Sequence, residues 1–100
     1  MRGLLSGRID EHATFAEGDR RRQFFAPNRL SGMLPKVRQI QDIIAASGLP
    51  LVEAAMRFCV SNPHAAVIIP GIRTPEQARA NAAACEPLPA AVLNKLRQLA

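Results

Sequence analysis

The 100-residue sequence contains no tyrosine and no tryptophan, and only two cysteines, two histidines and two lysines. Without a tyrosine, a mechanism that needs a tyrosine acid cannot run on this chain alone. The cysteines, Cys59 and Cys85, lie 26 positions apart, which fits neither a disulfide-dense scaffold nor a zinc-finger spacing. We therefore expect two buried thiols in a reducing, cytoplasmic environment, with no activated thiolate.

Long hydrophobic runs are also missing. No apolar stretch approaches the roughly 18 to 20 residues that span a bilayer. The first residues, Met1 to Gly7, lack the apolar core of about 7 to 15 residues that a signal peptide requires. With 48% hydrophobic and 21% charged residues, the composition is typical of a soluble globular protein with one modest core.

The charge is unbalanced, with 13 basic against 8 acidic residues, a net charge of +5 and a pI of about 10.6. This excess favours anionic partners. Arg20-Arg21-Arg22-Gln23-Phe24-Phe25 is a candidate nucleic-acid contact, because clustered arginines and aromatic rings can hold phosphates and stack on bases. Flanking acidic residues favour a solvated loop without nucleic acid instead: Asp10, Glu11, Glu17 and Asp19. A small basic helical module that binds nucleic acid or another acidic partner remains the alternative interpretation.

The chain divides into two regions within one partial domain. Residues 1–34 show no helical period and contain many glycines, which predicts a long loop over a ligand or active site. From Pro35 the apolar spacing predicts an amphipathic helix that ends at Ser47-Gly48. A second helix is predicted to begin at Pro50 and end at Ser61-Asn62-Pro63; because it is so apolar, it must be covered on most sides.

One strand and two further helices are predicted in residues 66–100. The β-branched run Ala66 to Ile69, followed by Pro70-Gly71, indicates a buried strand of a parallel sheet. Thr74 as N-cap and Gln77 as capping-box partner start a helix that runs to about Ala84. A last helix begins near Pro89. Because one strand needs neighbours for its backbone groups, the pattern indicates part of a larger α/β fold.

The turn between this strand and its helix is a candidate anion site. Free backbone N–H groups at the helix start, the helix dipole and the neighbouring Arg73 can together hold a phosphate. The alternative is that Arg73 is a solvated loop cation and Thr74 a plain cap. His64 is predicted to be a loop residue, since no second His, Cys or carboxylate stands at metal-ligand spacing from it.

Three segments resemble the aldo-keto reductases. Residues 68–77, with Asn81, are similar to the family pattern I-I-P-G-x-R-x-P-E-Q-x-x-x-N at its last barrel strand and following helix. Residues 3–8 resemble the motif G-x-L-[ST]-G-[KR] after the seventh strand. Residues 54–58 with Asn62-Pro63 resemble a family helix and its exit. The charged segment with Phe15, Asp19, Arg20 and Arg21 also resembles a loop of this family.

The resemblance implies an NADP(H)-dependent oxidoreductase that reduces aldehydes and ketones to alcohols. The implied fold is a (β/α)8 TIM barrel of about 250 residues, of which this α/β chain would be the C-terminal part. The segment with Arg73, Gln77 and Asn81 would hold the adenosine 2′-phosphate and the adenine, and the segment from Leu5 to Arg8 would follow the pyrophosphate. The complete set of implied cofactor-binding residues is Leu5, Ser6, Gly7, Arg8, Gly71, Arg73, Gln77 and Asn81.

The chain also departs from the family pattern. Ala80 stands where the family often has a glutamate that holds the adenine or ribose. The family's catalytic Asp, Tyr, Lys and His belong to earlier strands, so we assign no catalytic residue and no metal ligand here. We expect the isolated chain to be inactive, marginally stable and prone to aggregate or to associate with the missing barrel portion.

Overall fold

The computed structural model describes residues 3–99, which form a short 3-10 helix and five α-helices. The 3-10 helix spans Leu4–Ser6. The α-helices are α1 (Arg21–Phe24), α2 (Pro27–Ala45), α3 (Leu51–Val60), α4 (Pro75–Ala83) and α5 (Ala90–Gln98). Residues 3–99 contain no hydrogen-bonded β-strand. Within that range no helix is long and apolar enough to cross a membrane.

The prediction of a loop over residues 1–34 is wrong in its second half. Helix α2 already begins at Pro27, and Pro35, predicted to start a helix, lies inside it. An interior proline costs a helix about 3 kcal/mol. Burial offsets this cost, because Leu30, Leu34 and Val37 recur at helical spacing and are all buried in one cluster.

The first core cluster joins α2 to the N-terminal residues. Leu4, at 1% exposure, and Phe25 are buried against α2. The Phe15 ring stacks on Phe25 with centroids 5.6 Å apart, and Phe24 meets Phe25 edge-on at 4.9 Å. The N-terminal region is therefore packed against α2 by aromatic side chains, although residues 8–20 form turns and irregular structure.

The second core cluster joins helices α2, α3 and α5. Its buried members are Ile44 on α2, Ala54 on α3 and Leu88 just before α5. The α3 and α5 boundaries confirm the predicted helices after Pro50 and Pro89. However, α3 is covered on one side, and Val52 and Phe58 remain 45% and 40% exposed. The expectation that α3 is covered on most sides is therefore wrong within residues 3–99.

Helix α3 is also fixed to the segment that precedes α5. Arg57 Nε donates to the Glu86 carbonyl oxygen at 3.1 Å, and Nη2 donates to the Pro87 carbonyl oxygen at 2.9 Å. The Leu88 N–H donates to Ser61 Oγ at 2.9 Å. These bonds replace water as partners for backbone groups that irregular structure would leave unpaired.

The predicted buried strand at residues 66–69 is not formed as such. The segment is irregular, and Val67 and Ile69 are 75% and 90% exposed. The reason is that no other part of residues 3–99 provides a neighbouring strand to pair its N–H and C=O groups. Ile68 and Pro70 are half-buried and line an apolar groove of about 480 Å³ with residues of α3 and α4.

The cysteines also differ from expectation, since Cys59 and Cys85 are both exposed free thiols. Cys59 lies on the uncovered side of α3 beside Phe58, and Cys85 lies in the connection after α4. Their exposure has the same cause as that of Val67 and Ile69: residues 3–99 contain no further layer that would cover these surfaces.

Candidate functional site

The start of α4 is built as the sequence predicts. Thr74 has an extended backbone, with φ −134° and ψ 155°, and its Oγ1 accepts from the Gln77 N–H at 3.2 Å. Pro75 occupies the first turn, where its missing N–H leaves no helix bond broken. The predicted N-cap is therefore confirmed.

The Gln77 side chain departs from a capping box in one respect. Its Oε1 accepts from the N–H of Arg73 at 2.8 Å, one residue before the N-cap, whereas a capping box closes on the N-cap itself. Asn81 Nδ2 donates to the Gly71 carbonyl oxygen at 3.5 Å. Two polar side chains of α4 thus reach back and hold the turn 71–73 in place.

The four predicted residues of this turn and helix lie together. Gly71, Arg73 and Gln77 are exposed and Asn81 is half-buried. Arg73 takes part in none of the ion pairs shorter than 4.0 Å among residues 3–99. Arg73 therefore directly precedes the N-cap of a helix and forms no ion pair within residues 3–99, and a helix N-terminus beside an arginine suits a phosphate.

The second predicted segment, residues 3–8, is a tight turn bounded by two glycines. Gly3 and Gly7 have φ of 89° and 74°, a left-handed conformation that a side chain makes costly. Between them, the Ser6 N–H donates to the Gly3 carbonyl oxygen at 2.9 Å, and Ser6 Oγ accepts from the Arg8 N–H at 3.3 Å. The motif therefore specifies a backbone shape.

The residues of this turn lie against three different parts of the structure: the first core cluster, helix α3 and an open groove. Leu5 is half-buried and packs against the first core cluster, so a ligand would meet its backbone rather than its side chain. Gly7 lies near α3, since a Cβ placed on it would be 3.9 Å from Leu51 Cδ2. Ser6 and Arg8 line an open groove of about 310 Å³.

This groove contains residues that the sequence analysis did not assign to the site. Besides Gly3, Ser6 and Arg8, it is lined by Ile9, Ala13, Thr14, Phe15 and Arg21. Arg21 adds a second guanidinium and Thr14 a hydroxyl. The sequence signal for Arg21 was its place two residues after Asp19, in a segment whose charges were interpreted as a solvated loop.

Arg21 is held by Asp19 through a side-on, two-point ion pair. Arg21 Nε donates to Asp19 Oδ1 at 3.1 Å and to Oδ2 at 3.0 Å, and Nη2 donates to Oδ2 at 2.6 Å. The Arg21 backbone N–H donates to Asp19 Oδ1 at 2.9 Å. The guanidinium also lies 5.1 Å from the centroid of the Phe15 ring, a cation–π distance.

These contacts set the charge state of the pair. The Arg21 side-chain hydrogen bonds, followed by the Arg21 backbone N–H, lower the pKa of Asp19 from 3.8 to about 2. The side-chain hydrogen bonds to Asp19 also raise the pKa of Arg21. The positive charge of Arg73 contributes to the lowered pKa of Asp19. Asp19 and Arg73 therefore interact electrostatically, although they are far apart in sequence.

The arginine run does not present its aromatic neighbours as a surface for bases. Phe25 is buried in the first core cluster and Phe24 packs against it. The Arg29 guanidinium lies 4.5 Å from the Phe24 ring centroid. Both rings are therefore engaged by packing within the chain.

Metal-type residues are scattered in the described part of the chain. Residues 3–99 contain no group of three or more His, Cys, Asp or Glu that could hold a metal ion. His64 is exposed in the turn after α3, where its N–H donates to Asn62 Oδ1 at 3.0 Å. His64 is therefore a loop residue, as its sequence context predicts.

The described residues thus provide a capped helix start beside Arg73 and a glycine-bounded turn whose Gly3, Ser6 and Arg8 line a groove that also contains Arg21. The family model of the Aldo/keto reductase family matches residues 1–100. The chain therefore belongs to this family of oxidoreductases, whose fold is the TIM barrel, and the resemblance of its three motifs is confirmed. Searches of curated proteins and of solved structures each found no match.

Proposed function

We propose that this chain is the cofactor-binding C-terminal portion of an NADP(H)-dependent aldo-keto reductase, which reduces aldehydes and ketones to alcohols. The observation that carries the proposal is the position of Arg73. It stands beside the capped start of α4, its N–H is fixed by Gln77 at 2.8 Å, and its side chain is exposed. Membership of the family adds an independent argument for this cofactor.

The two segments divide the cofactor between them in this proposal. Arg73 binds the adenosine 2′-phosphate through charge-assisted hydrogen bonds, which planar guanidinium groups form well. Gln77 and Asn81 shape the turn and face the adenosine. The backbone from Leu5 to Gly7 and the side chains of Ser6 and Arg8 follow the pyrophosphate. Ala80 offers no carboxylate to the adenine or ribose.

The cofactor supplies a hydride when it is bound, and this chain supplies binding and orientation. Reduction of a carbonyl also needs an acid that protonates the developing alkoxide. The family's tyrosine has no counterpart in this sequence. We therefore propose that the isolated chain binds cofactor without turnover, and that catalysis requires the remaining portion of the barrel.

The proposal extends to partners and location. The exposed Val67 and Ile69, which are 75% and 90% accessible, are the surface on which the remaining barrel portion would pack. Cys59 and Cys85 are exposed free thiols, and such thiols are compatible with the reducing cytoplasm. Neither nucleic acid nor membrane is part of the proposed function.

Cofactor discrimination by an Arg73→Ala variant tests the proposal. Loss of the guanidinium removes charge-assisted bonds to the 2′-phosphate, so NADPH affinity should fall about tenfold or more. NADH lacks that phosphate, and its affinity should change by less than about twofold. Titration of both nucleotides into each chain, followed by their fluorescence or by calorimetry, measures the difference.

A matched control is Arg79→Ala. Arg79 is an exposed arginine of the same helix, 3.9 Å from Glu76, and it lies outside the proposed site. Its removal lowers the net charge equally and should leave the ratio of NADPH to NADH affinity unchanged. Equal losses for both nucleotides in the Arg73→Ala chain, or no nucleotide binding by the unaltered chain, would contradict the proposal.

A further inference from the structure

The groove beside residues 3–8 is also lined by Arg21, an arginine outside that motif which is paired with Asp19. Arg21 lines this groove together with Ser6 and Arg8, and its side chain is 42% exposed. Its Nε and Nη2 atoms face Asp19 at 2.6 to 3.1 Å, while Nη1 takes no part in that pair. One edge of the guanidinium is therefore fixed and another edge is available to the groove.

Two further contacts restrict Arg21. The Phe15 ring lies 5.1 Å from the guanidinium carbon, and Phe15 is itself stacked on the buried Phe25. The Arg21 backbone is held as well, since its N–H donates to Asp19 at 2.9 Å. An arginine that is held in place before a ligand arrives loses less conformational entropy on binding than a free one.

The charge around the groove suits an anion despite the presence of Asp19. Arg8 and Arg21 line it, and the charge of Arg73 reaches Asp19. Arg21 and Arg73 both favour the charged form of Asp19. A nearby acid, Glu11, is paired with Arg38 at 3.0 Å. A phosphate-bearing ligand therefore meets a net positive surface with a polar hydroxyl on Ser6 and on Thr14.

We propose that Asp19 is a positioning residue of this groove, which holds Arg21 against Phe15 so that Arg21 becomes a further contact for a pyrophosphate-bearing ligand. The inference deepens the proposed function and rests on it for the identity of that ligand as a dinucleotide. The part that does not depend on the ligand's identity is that the Asp19 carboxylate promotes anion binding because it orients the Arg21 guanidinium.

A positioning role and a simple repulsion by Asp19 predict opposite changes in anion affinity when its charge is removed. Removing a negative charge near an anion site should strengthen anion binding if the carboxylate merely repels the ligand. If Asp19 positions Arg21, Asp19→Asn should weaken binding of inorganic pyrophosphate about fivefold, because the side-on pair and the order of Arg21 are lost. Calorimetric titration of pyrophosphate into the full chain at low salt measures this constant.

Glu17→Gln is the matched control. Glu17 is an exposed acid of the same segment and takes part in none of the ion pairs among residues 3–99. The substitution removes the same charge without disturbing Arg21, and pyrophosphate should bind as before or slightly more tightly. Tighter binding in both variants would overturn the inference, since Asp19 would then act through its charge alone.

A double-mutant cycle separates positioning from structural damage. In an Arg21→Gln chain there is nothing left for Asp19 to orient, so adding Asp19→Asn should no longer weaken pyrophosphate binding. If the Asp19→Asn chain loses its helical circular dichroism, Arg21→Gln is compared with Arg22→Gln, which alters a neighbouring exposed arginine outside the groove. Equal affinities in those two chains would overturn the inference.

The failures of the two proposals are distinguishable. Asp19-dependent binding of pyrophosphate without a preference for NADPH at Arg73 would support the groove and contradict the proposed cofactor. Discrimination at Arg73 with no effect of Asp19→Asn or Arg21→Gln would support the cofactor and overturn the positioning role. No binding of pyrophosphate by the unaltered chain would overturn the groove as an anion site.

Discussion

At the residue scale, the Asp19 carboxyl has a pKa of about 2 against an ordinary value of 3.8, chiefly because Arg21 donates to its charged form. A group whose pKa is lower in the folded than in the unfolded chain contributes stability at pH values above the unfolded pKa. That contribution is lost as the pH falls through the folded pKa. For Asp19 the loss occupies the window from about pH 4 to pH 2.

We therefore expect the free energy of unfolding to fall over this window partly through Asp19. In an Asp19→Asn chain the pair is absent at every pH, and the slope of stability against pH between 4 and 2 should be smaller. Urea unfolding followed by circular dichroism at constant ionic strength measures the slope. The Glu17→Gln chain is the control, and an equal slope in the unaltered and Asp19→Asn chains would contradict the assignment.

Residue-scale features were predicted well where their cause is local. The Thr74 hydroxyl accepts from the N–H of Gln77, only three residues away, so the sequence alone is enough to predict this N-cap. The Asp19–Arg21 pair is also close in sequence, but several neighbouring charges could pair, so the sequence does not single it out; in the structure the Arg21 guanidinium also lies 5.1 Å from the Phe15 ring centroid. Burial of Cys59 and Cys85 was predicted wrongly because thiol exposure depends on distant layers.

At the element scale, α3 is connected to the segment before α5 through Arg57. The guanidinium donates to the carbonyl oxygens of Glu86 and Pro87, and it also lies 3.4 Å from Glu53 Oε1 on its own helix. The Arg57 side chain is 15% exposed, so its apolar stem is also packed against the chain.

Arg57→Ala should therefore destabilise the chain by about 2 kcal/mol, since it removes two hydrogen bonds to backbone carbonyl groups together with the packing of the side-chain stem. Chemical unfolding followed at the helical circular-dichroism signal measures the loss. Arg79→Ala is the matched control, because its pair with Glu76 is long at 3.9 Å and both side chains are more than three-quarters exposed. If the two variants have similar stability, the Arg57 contacts make no net contribution to the free energy of unfolding.

The elements also show why α2 was predicted only in part. Proline is most often found in the first turn of a helix, so Pro35 indicated a start. The burial of Leu30, Leu34 and Val37 on one face carries the helix through Pro35 as far back as Pro27. The sequence analysis divided this spacing at Pro35, and the burial that supports it depends in part on Leu4, which is distant in the chain.

At the scale of the whole molecule, the segment from Ala66 to Ile69 has the composition of a buried strand and the exposure of a loop. The residue types that favour a strand can be recognised locally, but a strand forms only where neighbouring strands pair with its backbone N–H and C=O groups. The family's TIM barrel would provide those neighbours, and residues 3–99 do not. The sequence therefore predicted the element that the complete fold requires rather than the one that this chain forms.

This exposed segment is expected to govern self-association. Ile69 is 90% and Val67 is 75% exposed, and an apolar, unpaired extended segment is a template for pairing with another chain. Ile69→Thr keeps a β-branched side chain and removes apolar surface, so it should lower light scattering at equal concentration by about twofold or more and leave the helical signal unchanged.

Ile44→Thr is the control for this substitution, because Ile44 is 2% exposed within the second core cluster. The same chemical change there buries a hydroxyl and should destabilise the chain by about 2 kcal/mol and increase scattering. Unchanged scattering in the Ile69→Thr chain would contradict the role of this segment in association. Lower scattering would identify the same surface that a complementary barrel portion would cover, since both forms of pairing need the apolar face and the unpaired backbone of residues 66–69.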